Sequence, residues 1–127
     1  MKNTKQNILK YWSWPVLYAL VIFGLSSIRT PHVSELKNYN IDKLLHFIEY
    51  FGLALVLSRS FLKTTLLKKS IIFWIIIAFG FIIAMSDEFY QSFVPGRQSS
   101  VYDFLADIIG VTVGTLIYLR KAKHDKS

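Results

Sequence analysis

The sequence predicts an all-α membrane protein with four transmembrane helices and both termini in the cytoplasm. Three observations lead there. Apolar residues make up 53% of the 127 positions and mean hydropathy is +0.38, more than a solvated globule of this size needs to fill its core. Those residues are bunched into four blocks between charges, with no polar face alternating through Ile71-Ile72-Phe73-Trp74-Ile75-Ile76-Ile77. The third observation is the placement of Lys and Arg, most of which fall in three of the five segments outside those blocks.

Taken in order, the spans are expected at about residues 11–28, 44–62, 70–88 and 103–119, in a single domain covering 1–127. Tyr11 to Ile28 and Ser70 to Ser86 carry no Asp, Glu, Lys or Arg, and each is long enough as a helix to cross ~30 Å of hydrocarbon. Pro15 is then tolerated in the first turn of its helix, beside an aromatic anchor of Tyr11, Trp12 and Trp14. The second span carries Glu49 and Arg59 and the fourth carries Asp107, groups that are costly at membrane depth. A cleavable leader is the weaker reading of the first block. The run is longer than a signal core, and three further spans would hold the chain in the membrane in either case.

Lys2, Lys5 and Lys10 precede the first span; Arg59, Lys63, Lys68 and Lys69 surround the second connection; Arg120, Lys121, Lys123 and Lys126 follow the last span. The other two connections share only Arg29, Lys37, Lys43 and Arg97. The positive-inside rule therefore puts both termini and the second connection in the cytoplasm. This topology accounts for the net charge of +7. Nucleic acid is not an expected partner, because the cations are divided among short segments and no binding motif accompanies them; membrane lipids are. The absence of cysteine excludes a disulfide framework, thiol catalysis, zinc–thiolate sites and iron–sulfur clusters.

The carboxylates go the other way. Glu35, Asp42, Glu49, Asp87, Glu88, Asp103 and Asp107 all lie in or near the outer half, leaving only Asp125 inside. Helical spacing puts Asp42, His46, Glu49, Tyr50 and Leu53 on one stripe of the second span. Gly80, Ala84, Asp87 and Gln91 share a stripe of the third, and Asp103, Asp107, Gly110 and Gly114 one of the fourth. Gly110 and Gly114 form a small-xxx-small pair that permits close backbone approach, so that stripe is expected to face other helices. Either these polar groups satisfy one another and pin the bundle in register, or they line a polar pocket open to the outer surface.

Between the third and fourth spans, Val94-Pro95-Gly96-Arg97 reads as a turn that aims Arg97. Ser99 or Ser100 is a natural N-cap, and Asp103 in the following first turn complements the helix dipole. His46 among several acids is chemically able to hold a hard divalent cation. A lone His without a motif such as H-E-x-x-H is a weak metal signal, however, and no metal or other cofactor is expected.

Asp42-Lys43-x-x-His46-Phe47-x-x-Tyr50-Phe51-x-Leu53, then Ser86-Asp87-Glu88-Phe89-x-Gln91-x-Phe93-Val94-Pro95-Gly96-Arg97, then Ser100-Val101-x-Asp103 and Gly110, together resemble the VanZ-like family. Ser26-Ser27 at the end of the first span fits the same pattern, so the resemblance runs from about residue 12 to 119. Two positions depart from it: Tyr90 stands where members often have His, and Asp107 where they often have Asn. The resemblance implies a small multi-span bacterial membrane protein whose named relative lowers susceptibility to the lipoglycopeptide teicoplanin. Its motif positions carry over to Asp42, Lys43, His46, Tyr50, Asp87, Glu88, Gln91, Arg97 and Asp103; Glu49 and Asp107 join them from the spacing alone.

The expected function is therefore that of a multi-pass protein of the bacterial cell envelope. Its outward-facing pocket would engage a lipid headgroup, a lipid-linked cell-wall precursor or a lipoglycopeptide. Two alternatives stay open. One is an intramembrane enzyme acting on a lipid or phosphate-bearing substrate, with carboxylates and His46 as acid, base or metal ligands and with Arg97 and Lys43 steadying phosphate. The other is a small structural subunit of a membrane complex. Four short helices leave little room for a water-filled path, which argues against transport by a monomer and leaves oligomers open.

Overall fold

A computed structural model of the chain describes residues 2–28, 39–95 and 100–122. It contains four helices, α1 (Lys2–Ile28), α2 (Tyr39–Thr64), α3 (Lys69–Ser92) and α4 (Val101–Lys121), and no strand among the described residues. Each holds a stretch long and apolar enough to cross a membrane. The burial pattern inverts that of a water-soluble bundle. Trp14, Leu20, Trp74, Ile82 and Ile109 point outward, whereas His46, Asp87, Gln91 and Asp107 are fully buried. Lipid is the solvent in which that arrangement is stable, since it accepts apolar side chains and excludes charged ones.

α2 is central and packs on α1, α3 and α4, with its largest interface on α4. Tyr50, Leu53, Ala54 and Leu57 on α2 meet Ile72, Ile76 and Ala84 on α3 and Val111 on α4 to form the apolar core. The α2–α4 contact is close because α4 presents glycine to backbone. A Cβ at Gly110 would lie 2.5 Å from the Phe47 carbonyl oxygen, and one at Gly114 2.8 Å from that of Phe51. The small-xxx-small stripe thus does what its spacing predicts. α1 is the peripheral helix, with only 11% of its apolar stretch buried.

Two boundaries differ from expectation. α1 begins at Lys2, so Pro15 sits well inside the helix and not in its first turn. Proline supplies no N–H, which frees the carbonyl four residues back at Tyr11. The Ser60 hydroxyl on α2 takes up that carbonyl at 2.7 Å while also approaching its own Val56 carbonyl at 2.9 Å, so a neighbouring helix heals the break. The second difference is in α3, expected to end near residue 88, which continues through Ser92. The helix persists because its buried stripe of Ile72, Ile76, Gly80, Ala84, Asp87 and Gln91 stays in contact to the end. It stops where the N–H groups of Phe93 and Val94 bond back to Tyr90 and Gln91 at 3.1 Å, just before Pro95.

The ends of the bundle differ in character. Trp12 Nε1 donates to Thr64 Oγ1 at 3.1 Å, the Arg59 guanidinium lies over the Tyr11 ring, and Lys69 Nζ donates to the Ala122 carbonyl at 2.5 Å. These contacts gather the start of α1, the α2–α3 connection and the end of α4 at one end, the cation-rich one. The acids collect at the other.

Candidate functional site

The acidic end is assembled from all four helices, each delivering its polar residues by the stripe that also buries its apolar ones. On α1, Ile22 and Ser26 are buried one turn apart. Ser26 Oγ donates to Asp87 Oδ1 at 2.6 Å, and Gln91 Nε2 donates to Asp87 Oδ2 at 3.1 Å and to Ser26 Oγ at 3.3 Å. Asp87 and Gln91, one turn apart on α3, are thereby locked to the end of α1.

A second cluster centres on His46. Its Nδ1 lies 2.9 Å from Asp107 Oδ1, and both side chains are completely enclosed. On its other edge Nε2 lies 3.9 Å from Asp103 Oδ2, beyond hydrogen-bond reach. His46 belongs to two groups of close acids: a ring nitrogen with oxygens of Asp42 and Asp103, and a ring nitrogen with oxygens of Glu88 and Asp107, all within 4.8 Å inside each group. Glu88 is half-buried and accepts the Ser100 backbone N–H at 3.2 Å. Ser100 also caps α4, its hydroxyl accepting from the Tyr102 N–H at 3.2 Å.

Of the residues expected here, Asp42, His46, Glu88, Asp103 and Asp107 come together directly, and Asp87 with Gln91 forms the adjoining network. Tyr50 is fully buried one turn below His46. Lys43 lies with its ammonium over the Tyr102 ring, 5.6 Å from the centroid. Glu49 is half-buried and belongs to neither of the two His46 groups. Arg97 lies outside the described residues, as do Gly96 and Ser99. Tyr90 is exposed, its hydroxyl 2.7 Å from Ser27 Oγ.

Sequence reasoning left Ser26 and Ser100 out of the site. Ser26 was legible in principle, since it continues the α1 stripe one turn beyond Ile22. The bond from the Ser100 amide to Glu88 carries no sequence signal, because any residue supplies that N–H.

Among the described residues, six buried side-chain atoms have no hydrogen-bond partner, and five belong to this end: His46 Nε2, Tyr50 Oη, Glu88 Oε1, Gln91 Oε1 and Asp107 Oδ2. Buried polar groups are normally satisfied, by protein or by ordered water. Beside this cluster, a cavity of about 240 Å³ opens between α3 and the start of α4, lined by Met85, Glu88, Ser100, Val101 and Phe104. Its described walls are mainly apolar, and among the described residues it meets the predicted ones at Glu88.

A family model described as VanZ/LLP1 matches residues 2–122, which takes in all four helices and every residue of both clusters. The chain belongs to the VanZ/LLP1 family. No curated protein and no solved structure matches it. As a VanZ/LLP1 member with four apolar helices it is a multi-pass membrane protein, and its polar clusters bury carboxylates that such an environment tolerates only when they are paired, protonated or ligated.

Proposed function

We propose that this VanZ/LLP1 protein resides in the bacterial cell membrane with its acidic end outward, where it engages an envelope amphiphile and lowers susceptibility to lipoglycopeptide antibiotics. The observation that carries this reading is the adjacency of the apolar α3–α4 groove to the under-satisfied polar cluster, with Glu88 in both. A lipid or lipid-linked cell-wall precursor has that division: a chain for Met85, Val101 and Phe104, and a polar head for the residues beyond Glu88. Arg97, which follows Pro95 and Gly96 in the sequence, is proposed to hold the anionic head. A planar guanidinium offers two parallel donors to phosphate or carboxylate, which an ammonium cannot.

The test pairs a phenotype with a mass. The wild type and Arg97→Lys are expressed in a susceptible host, scored against teicoplanin, then extracted gently and weighed by native mass spectrometry. The reading expects reduced susceptibility and a retained lipid for the wild type, with both lost in Arg97→Lys at unchanged expression. A wild type that carries no lipid and leaves susceptibility unaltered refutes it.

A second reading, an intramembrane enzyme, draws on the orientation of His46. An imidazole whose Nδ1 faces a buried carboxylate and whose Nε2 is open has the disposition of a general base. Turnover of an extracted envelope lipid by the wild type and not by His46→Gln would favour it.

A further inference from the structure

We infer that His46 Nε2, Asp103 and Asp42 form a binding site for a divalent transition-metal ion, with Asp107 holding the imidazole in the ligating tautomer. The function proposed above does not require such an ion, and the site stands on separate observations.

The first is the arrangement of donors. Asp107 Oδ1 sits 2.9 Å from Nδ1; a carboxylate there accepts the Nδ1 proton, which leaves the lone pair on Nε2. Metal-bound histidines are characteristically oriented this way, the carboxylate fixing the tautomer and making the ring a better donor. A metal on Nδ1 would have to displace Asp107, so the open edge is Nε2.

The second, independent observation is that Nε2 has no hydrogen-bond partner although His46 is completely buried. It is aimed at the Asp103 carboxylate, 3.9 Å away. That gap is too long for a direct hydrogen bond. It falls between the ~3.4 Å separation of two ligands on a tetrahedral ion and the ~4.2 Å separation of trans ligands, for bonds of ~2.1 Å. Asp42, one turn before His46, brings a third donor: a ring nitrogen of His46 and one oxygen each of Asp42 and Asp103 lie within 4.8 Å of one another.

One imidazole with two carboxylates is a mixed nitrogen and oxygen set of the kind Zn2+ and Mn2+ accept, harder than thiolate and softer than the all-oxygen shell Mg2+ prefers. The single His made the metal signal weak in the sequence; the fold adds the supporting carboxylate from another helix, sixty-one positions away.

The experiment uses the full chain in lipid nanodiscs, free of any polyhistidine tag, stripped with chelator and titrated with Zn2+. One equivalent is expected to bind and to raise the melting temperature. His46→Gln and Asp103→Asn should lose that uptake, and Asp107→Asn should keep the stoichiometry with affinity reduced ~10–100-fold. Ser60→Ala, at the opposite end, should bind as the wild type does. X-ray absorption of the wild-type Zn2+ complex is expected to show a single imidazole in an otherwise oxygen shell, a result that does not depend on any variant folding. Absence of saturable uptake by the wild type, uptake undiminished in both His46→Gln and Asp103→Asn, or a shell without imidazole would overturn the site.

Discussion

Replacing Gly110 by Ala probes the tightest contact in the bundle. The added Cβ would sit 2.5 Å from the Phe47 carbonyl oxygen and 3.1 Å from the Phe51 nitrogen. Both are backbone atoms, which no rotamer change can move aside. Ordinary contact begins at 3.4 Å, so α4 must retreat from α2 by about 0.9 Å at this point. One turn earlier on the same face Asp107 meets His46 at 2.9 Å, and the same retreat carries that pair to about 3.8 Å, past hydrogen-bond reach. Overpacking costs ~1–3 kcal/mol and loss of a buried charged hydrogen bond ~1.5–3 kcal/mol, which puts the destabilisation at roughly 2.5–6 kcal/mol. Gly114→Ala, nearest contact 2.8 Å, should cost less. Gly24→Ala, where nothing lies within 4 Å, should be neutral or stabilising by up to ~1 kcal/mol, because Ala is the better helix former. Unfolding in mild detergent, followed by far-ultraviolet circular dichroism, should rank the three in that order. If Gly110→Ala unfolds together with Gly24→Ala, the α2–α4 approach is looser than described and the reasoning fails.

Three further outcomes are expected. Ser60→Ala strands the Tyr11 carbonyl freed by Pro15 and should cost ~1–3 kcal/mol in the same assay; restoring the missing N–H in Pro15→Ala should recover part of that loss. Asp87→Ala removes the shared acceptor of Ser26 and Gln91, taking from each of these buried polar groups its bond to the carboxylate. It should therefore destabilise more than Ser26→Ala does, and the two changes together should cost less than their sum. A reporter active only outside the membrane, fused after Ser127, should stay silent; strong activity would invert the proposed orientation.

The class of protein and the faces of its helices were legible in the sequence because both follow from local rules. Hydrocarbon thickness sets the length of an apolar run, and 3.6 residues per turn sets which positions share a side. The stripe from Gly80 through Ala84 and Asp87 to Gln91 on α3 and that from Asp103 to Gly114 on α4 were readable for that reason, and both are buried. The spans came out short. A hydropathy run ends at the first charges, whereas a helix continues for as long as partners satisfy its side chains, as Ser26 does for Asp87 beyond the apolar part of α3. Helix entry was misread at Pro15 for a related reason: the residue that compensates the proline, Ser60, comes from a different helix.

What spacing along one helix cannot supply is the rotation and depth of that helix against its neighbours. Helical period placed Glu49 on the same stripe as Asp42 and His46, yet the two groups around the imidazole are completed by acids of α3 and α4 and by Asp42. The same period said nothing of which acid would meet which edge of the imidazole. That Asp107 faces Nδ1 and Asp103 approaches Nε2 depends on how closely α4 lies against α2. The closeness is set by Gly110 and Gly114, whose missing side chains let two backbones touch. The sequence by itself determined which residues the membrane would force inward, because that is a matter of solvation; only the tertiary structure decided their pairing, because that is a matter of distances between helices.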